Sequence, residues 1–101
     1  MTNNFVLVGR IVNELELKEN ENGVKQVNVT VAVPRSFKNA DGIYETDFIP
    51  VVIYKGIAEN TAEWCKKGDL IGIRGRLQMQ DNNIQIIAEK ISFLSSRKAD
   101  E

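Results

Sequence analysis

Apolar residues dominate from Phe5 to Val12, after which Leu15 and Leu17 alternate with Glu14 and Glu16. This pattern predicts one long strand that passes from buried to half-exposed. Lys18 to Gly23 (KENENG) reads as a turn. From Val27 the alternation is clean, with Val27, Val29, Val31 and Val33 on one face and Asn28, Thr30 and Ala32 on the other, which predicts a second strand ended by Pro34. Arg35 to Gly42 (RSFKNADG) reads as a projecting loop, and Tyr44 to Tyr54 as a third strand. The period then changes. Over Ile57 to Lys67, residues Ile57, Ala58, Thr61, Ala62, Trp64 and Cys65 share one helical face, and Gly68 stands where a helix C-terminus places glycine. Trp64 and Cys65 are both expected in the core. Leu70 to Met79 alternates again, and Asp81-Asn82-Asn83 predicts a tight hairpin into a fifth strand, Ile84 to Leu94.

The order β-β-β-α-β-β is the connectivity of the oligonucleotide-binding barrel, a partly open five-stranded Greek key, and the chain is predicted to be all-β with one helix. A split sandwich and an open meander with a packed helix are the alternatives. The barrel is favoured because the first and third strands are long enough to serve both sides of a closed sheet. Residues 1–95 are expected to form this one domain, and residues 96–101 a polar, disordered tail.

On the third strand, Ile49, Val51 and Ile53 form a β-branched row suited to a core, which sends Tyr44, Thr46, Phe48, Val52 and Tyr54 to the opposite face. A small barrel has one interior, so rings on the other face stand on its surface unless something covers them. Phe37, between Arg35 and Lys38, adds a ring flanked by cations in a polar segment. Rings with neighbouring positive charge suit stacking against nucleobases beside phosphate contacts. Arg74 and Arg76 on the fourth strand and Arg10 on the first could extend the same groove. Phe48 and Tyr54 would equally suit a dimer interface or the underside of the helix, and Phe37 could pack on its own loop. Tyr44 reads as a strand or interface residue.

Charge and chemistry narrow the options. The 101 residues carry 13 Lys plus Arg against 14 Asp plus Glu, so bulk charge does not draw a polyanion and any such binding rests on local arrangement. With no His and one Cys, the commonest general base, an intrachain disulfide and a thiolate metal cluster are all excluded; no cofactor, metal or enzymatic activity is expected. Glu14, Glu16, Glu19 and Glu21 read as a solvated acidic edge over which no polyanion groove runs. The opening MTNNFVLVGR lacks a basic leader and a membrane-length apolar run, which points to the cytoplasm and to no membrane partner.

With these residues in place, the chain resembles the bacterial single-stranded DNA-binding protein family from about Asn3 to Leu94. NFVLVGRI matches the family's first strand, VNVTVAVPRSFKN its second strand and DNA-contacting loop, and TDFIPVVIYKGIAENTAEWCKKGDLIGIRGRL its third strand, helix and fourth strand without a gap. The resemblance implies sequence-tolerant binding of single-stranded DNA in replication, recombination or repair. It puts Phe37, Phe48 and Tyr54 at base-stacking positions, the first two where many members have Trp, and Arg10, Arg35, Lys38, Arg74 and Arg76 along phosphate. It also implies self-association as a homotetramer, with a dimer as the alternative, through first strands pairing between protomers. Two features depart from the family. The hairpin MQDNNIQ is short where typical members carry a longer basic loop with a further aromatic, which implies a smaller site. The acidic tip through which members recruit other proteins is not seen before Glu101, so no tail-mediated recruitment is visible; either the sequence is a shortened piece of a longer member, or it is a divergent member carried by a phage or mobile element. A related barrel that uses the same face as a protein-interaction module, a primosome or replisome accessory, is the rival reading.

Overall fold

The computed structural model describes residues 1–96 and runs β1 (Phe5–Ile11), β2 (Lys18–Glu19), β3 (Lys25–Lys38), β4 (Tyr44–Tyr54), α1 (Lys55–Trp64), β5 (Leu70–Gln80) and β6 (Asn83–Ser95). The expected tail at 96–101 falls, from residue 97 onward, outside the described residues. The strands follow one another in the sheet as β1-β5-β6-β4-β3-β2, and β1 also pairs with β3, so five strands close into a barrel while β2 hangs on the margin of β3. The predicted five-stranded barrel is therefore present, with a two-residue sixth strand where the sequence reads as a turn.

The alternating valines explain why it closes. Val27, Val29 and Val31 of β3 face Ile53, Val51 and Ile49 of β4 across an antiparallel ladder, and all but the half-buried Ile49 are fully buried together with Ile11, Ile71 and Ile73. Each such side chain contributes about 1.5–3 kcal/mol by leaving water. Below them α1 plugs the barrel through Ala58, Thr61 and Cys65. These residues recur at three and four positions, the spacing of one helical stripe.

Closure also demands that β1 change partners. It pairs with β5 from Phe5 to Arg10 and with β3 at Arg10 and Ile11. At the crossing a Cβ on Gly9 would lie 2.5 Å from the carbonyl oxygen of Ala32, and a Cβ on Gly75 would overlap the carbonyl of Ile87, so both glycines let backbones meet. The first strand ends at Ile11, short of the predicted Leu17. After Val12 donates to the Thr30 carbonyl at 3.0 Å, the Asn13 side chain takes over the ladder: its Oδ1 accepts from the Thr30 N–H at 2.8 Å and its Nδ2 donates to the Asn28 carbonyl at 3.0 Å. An amide side chain that competes with the backbone in this way ends a strand. Asn3 does the same at the other end of β1, donating to the Leu77 carbonyl at 2.7 Å and accepting from its N–H at 2.9 Å.

Two further expectations are corrected. The predicted loop from Arg35 to Gly42 is mostly strand, because β3 continues to Lys38 and only the Asn39–Ile43 turn is irregular; there Asn39 Oδ1 accepts from the N–H groups of Asp41 and Ile43 at 2.9 and 3.0 Å. Trp64 is not core. The helix begins at Lys55 and stops at Trp64, which is 69% exposed. Six residues beyond the buried Ala58, it lies about a third of a turn away from that residue, past the edge of the inward stripe. Cys65, by contrast, is buried as expected, and burial pushes its thiol pKa up. The chain then turns through Gly68, at φ 96°, and Asp69. The buried Asp69 accepts the Lys66 N–H on Oδ2 at 2.9 Å, while its carbonyl accepts the Ile11 N–H at 3.0 Å, tying the helix exit to the end of β1.

Candidate nucleic-acid interface

The face of β4 opposite the core presents Tyr44, Thr46, Phe48, Pro50, Val52 and Tyr54, as strand alternation requires. Phe48 is 62% exposed, Tyr44 is exposed four residues before it on the same face, and Tyr54 is half-buried. Phe48 and Tyr54 are six residues apart on one strand, which sets their backbones about 20 Å apart. None of the rings proposed from sequence lies in the interior. Phe37 is 61% exposed, but it falls where the ladder slips: Pro34 faces Thr46 and Lys38 faces Tyr44, so β3 takes four steps while β4 takes two. Since Lys38 shares the Tyr44 face, with its ammonium 5.7 Å from that ring's centre, Phe37 just before it does not continue the Phe48 row by simple alternation.

The register shows which cations join these rings. Arg10 faces Ala32 and Ala32 faces Phe48, so an arginine and a phenylalanine flank one alanine in a single lateral row. A second row runs Asn28, Val52, Ile87, Arg76, crossing from β3 to β5. Tyr54, Lys55, Arg76, Gln80 and Ile87 then line a shared groove of about 810 Å³. Arg76 donates to Gln78 at 3.0 Å and to Glu89 at 3.3 Å, and Arg10 donates to the Gly68 carbonyl at 3.1 Å. These anchors leave both side chains exposed or half-exposed.

Two of the expected cations are placed differently. Arg74 pairs with Val6 on one side and Lys90 on the other, and it lines a cleft with Val6, Val8, Ser92 and Leu94, away from the Tyr54 groove. Arg35 has its fork occupied. Nε and Nη2 donate to Asp47 at 3.0 and 2.9 Å, and Nη1 donates to Glu45 at 2.7 Å. Its hydrogen bond to Asp47, then the charges of Asp47 and Glu45, raise its pKa above the usual arginine value, and the same hydrogen bond holds Asp47 below the usual carboxylate range.

The structure adds Lys55 and Gln80 to the groove. Lys55 follows Tyr54 directly and adopts φ 59°, an unusual conformation for a residue with a side chain. The Tyr-Lys-Gly junction between strand and helix was the available signal, since only a sharp turn fits there. The β1 face also differs from its sequence reading: Val6 is 72% exposed and Val8 half-exposed, an apolar outer surface beside Leu94. A separate cleft of about 300 Å³ is lined by Glu14, Glu16 and Glu19 with one cation, Lys18, among amide side chains, a net-negative lining unsuited to phosphate. No group of three metal-ligating side chains occurs among the described residues.

A closed five-stranded barrel with one plugging helix, rings on the outside of its third long strand and arginines in the neighbouring rows defines an oligonucleotide-binding barrel. The single-strand binding protein family matches residues 2–94, and the chain belongs to that family. It is 42% identical over 110 residues to a single-stranded DNA-binding protein of Streptococcus pneumoniae, covering 100% of this chain and 70% of that protein. It is likewise 42% identical over 106 residues to one of Halalkalibacterium halodurans, covering 63% of it, and 41% identical over 106 residues to single-stranded DNA-binding protein 1 of Streptococcus pyogenes, covering 82%.

Proposed function

We propose that this chain binds single-stranded DNA without strong sequence preference and coats strands exposed during replication, recombination or repair. It is a binding protein, not an enzyme. The observation that carries the reading is the outward Phe48–Tyr54 row with Arg10 and Arg76 in adjoining lateral rows, in a member of the single-strand binding protein family. Bases stack on Phe48, Tyr54 and Phe37, each contact contributing about 1–3 kcal/mol. Arg10, Lys38, Lys55 and Arg76 meet the intervening phosphates, and Arg74 serves a strand that wraps onward toward β1. The exposed Val6 and Val8 face supports self-association as a homotetramer. A cytoplasmic location is part of this reading, supported by similarity to bacterial single-stranded DNA-binding proteins; no helix among the described residues is long and apolar enough to cross a membrane.

The test is a titration of labelled oligo(dT) against duplex of equal length over a salt series. Preference for the single strand, with affinity falling as salt rises, is expected; equal binding to both, or none at low salt, would overturn the reading. Sizing chromatography of Phe48→Ala separates DNA binding from use of the same face as a protein interface, since only the latter predicts a changed oligomer.

A further inference from the structure

We infer that Arg35 acts as a positioning residue: its side chain splints the projecting β3–β4 ribbon from behind and so sets the attitude of Phe37 and Phe48, instead of contacting phosphate itself. This rests on the DNA-binding reading above.

The argument begins with the slipped ladder. Between the Pro34–Thr46 and Lys38–Tyr44 pairs, two extra residues of β3 have no partner on β4, and the ribbon loses backbone cross-links where it leaves the barrel. Arg35 sits at the start of this bulge. Its guanidinium reaches across to Asp47 and Glu45, the two residues that flank Thr46, with three hydrogen bonds of 2.7 to 3.0 Å. Exposed ion pairs usually contribute little, but a bidentate fork within a three-group network is the geometry that does.

Position decides what the network does. Glu45 and Asp47 alternate with Tyr44, Thr46 and Phe48 along β4, so they occupy the face of the ribbon opposite Tyr44 and Phe48. A guanidinium held there is turned from the strand path. The cluster as a whole carries one positive and two negative charges, so its field opposes an approaching phosphate. To track phosphate, Arg35 would have to abandon three hydrogen bonds and leave two carboxylates unpaired. As a splint it needs no rearrangement, and it couples the bulge that projects Phe37 to the residue next to Phe48.

The test compares the full chain with R35Q, the E45Q/D47N pair and the charge swap R35E/D47R, which keeps the net charge. Affinity for oligo(dT) is measured over a salt series, and amide hydrogen exchange across residues 33–47 is followed without DNA. A splint predicts several-fold weaker binding in both R35Q and E45Q/D47N with the salt slope unchanged, faster exchange in the ribbon of both, and recovery of both properties in the swap. The inference is overturned if R35Q lowers the slope by about 0.7, the value of one lost phosphate contact on a single strand, while E45Q/D47N binds more tightly. Exchange in R35Q equal to that of the parent chain also overturns it. Should the parent chain fail to bind oligo(dT) at any salt, the binding reading falls, and the exchange measurement still decides whether Arg35 holds the ribbon.

Discussion

Arg10 on β1 and Phe48 on β4 stand in one lateral row with only Ala32 between them, so a cation and a ring share the outer surface about 10 Å apart at the backbone. Ala32 is small enough to leave the space between them open. In the proposed binding mode, a base stacked on Phe48 would carry its phosphate toward Arg10 without the chain bending away from the sheet.

Phe48→Ala should weaken oligo(dT) binding by about 1–3 kcal/mol, and Tyr54→Ala by a comparable amount. With about 20 Å between the two positions, the double variant should show nearly additive losses. Anisotropy of a labelled oligonucleotide reads this out. Phe48→Ala should leave the melting temperature unchanged, because that ring is largely in solvent. Arg10→Ala should instead flatten the salt dependence by about 0.7 in slope.

Lys55→Gly separates stability from binding. A side-chain-bearing residue at φ 59° costs about 1–2 kcal/mol, part of which glycine recovers against its own larger unfolded-state entropy. Urea unfolding should move to higher denaturant, while oligo(dT) affinity falls with the loss of a groove cation.

Gly75→Ala should be the opposite kind of variant. The added methyl would collide with the Ile87 carbonyl and the Phe5 ring, and forcing such a contact costs about 1–3 kcal/mol or more. Thermal unfolding should show a clear drop. Gly72→Ala, whose Cβ would meet only side-chain atoms at 3.8 and 3.9 Å, should not.

Acid should release the ribbon before the barrel. Asp47 is held below its unfolded pKa chiefly by the hydrogen bond from Arg35, so in the interval between the two values the unfolded chain binds more protons. Its stabilising contribution is complete above the ordinary carboxylate range and is lost as pH falls through the folded value. Hydrogen exchange across residues 33–47, corrected for the intrinsic effect of pH, should show the parent chain converging on Asp47→Asn as the solution is acidified. At neutral pH the two should differ.

The parts of this architecture that depend on near neighbours were legible in the sequence. The valines at 27, 29, 31 and 33 announce a strand with one buried face, and the parity of Ile49, Val51 and Ile53 sends Phe48 outward whatever closes the barrel. What escaped depends on contacts between distant segments. Nothing near Arg35 reveals that a slip in register brings Glu45 and Asp47 within reach of its fork. Leu15 and Leu17 continue an alternation that Asn13 has already ended by bonding to β3. Trp64 reads as core on a broad apolar face from Ile57 to Cys65, but the stripe that enters the barrel is the narrower one of Ala58, Thr61 and Cys65, and Trp64 stands off it. Lys55 enters the groove through a positive φ that only the abrupt strand-to-helix junction at Tyr54 hints at.

The barrel is fastened unevenly: β4 and β6 meet through one parallel pair among the described residues, Val52 with Ile87, whereas β3–β4 and β5–β6 are joined by long ladders. Mechanically this is a bracelet with two short clasps, β1 with β3 at Arg10 and Ile11 and β4 with β6 at Val52, and the second lies in the same lateral row as Arg76, under the floor of the Tyr54 groove. A polymer lying from Tyr54 to Arg76 would act as a strap across it, so that occupying the surface and tightening the barrel become one mechanical event.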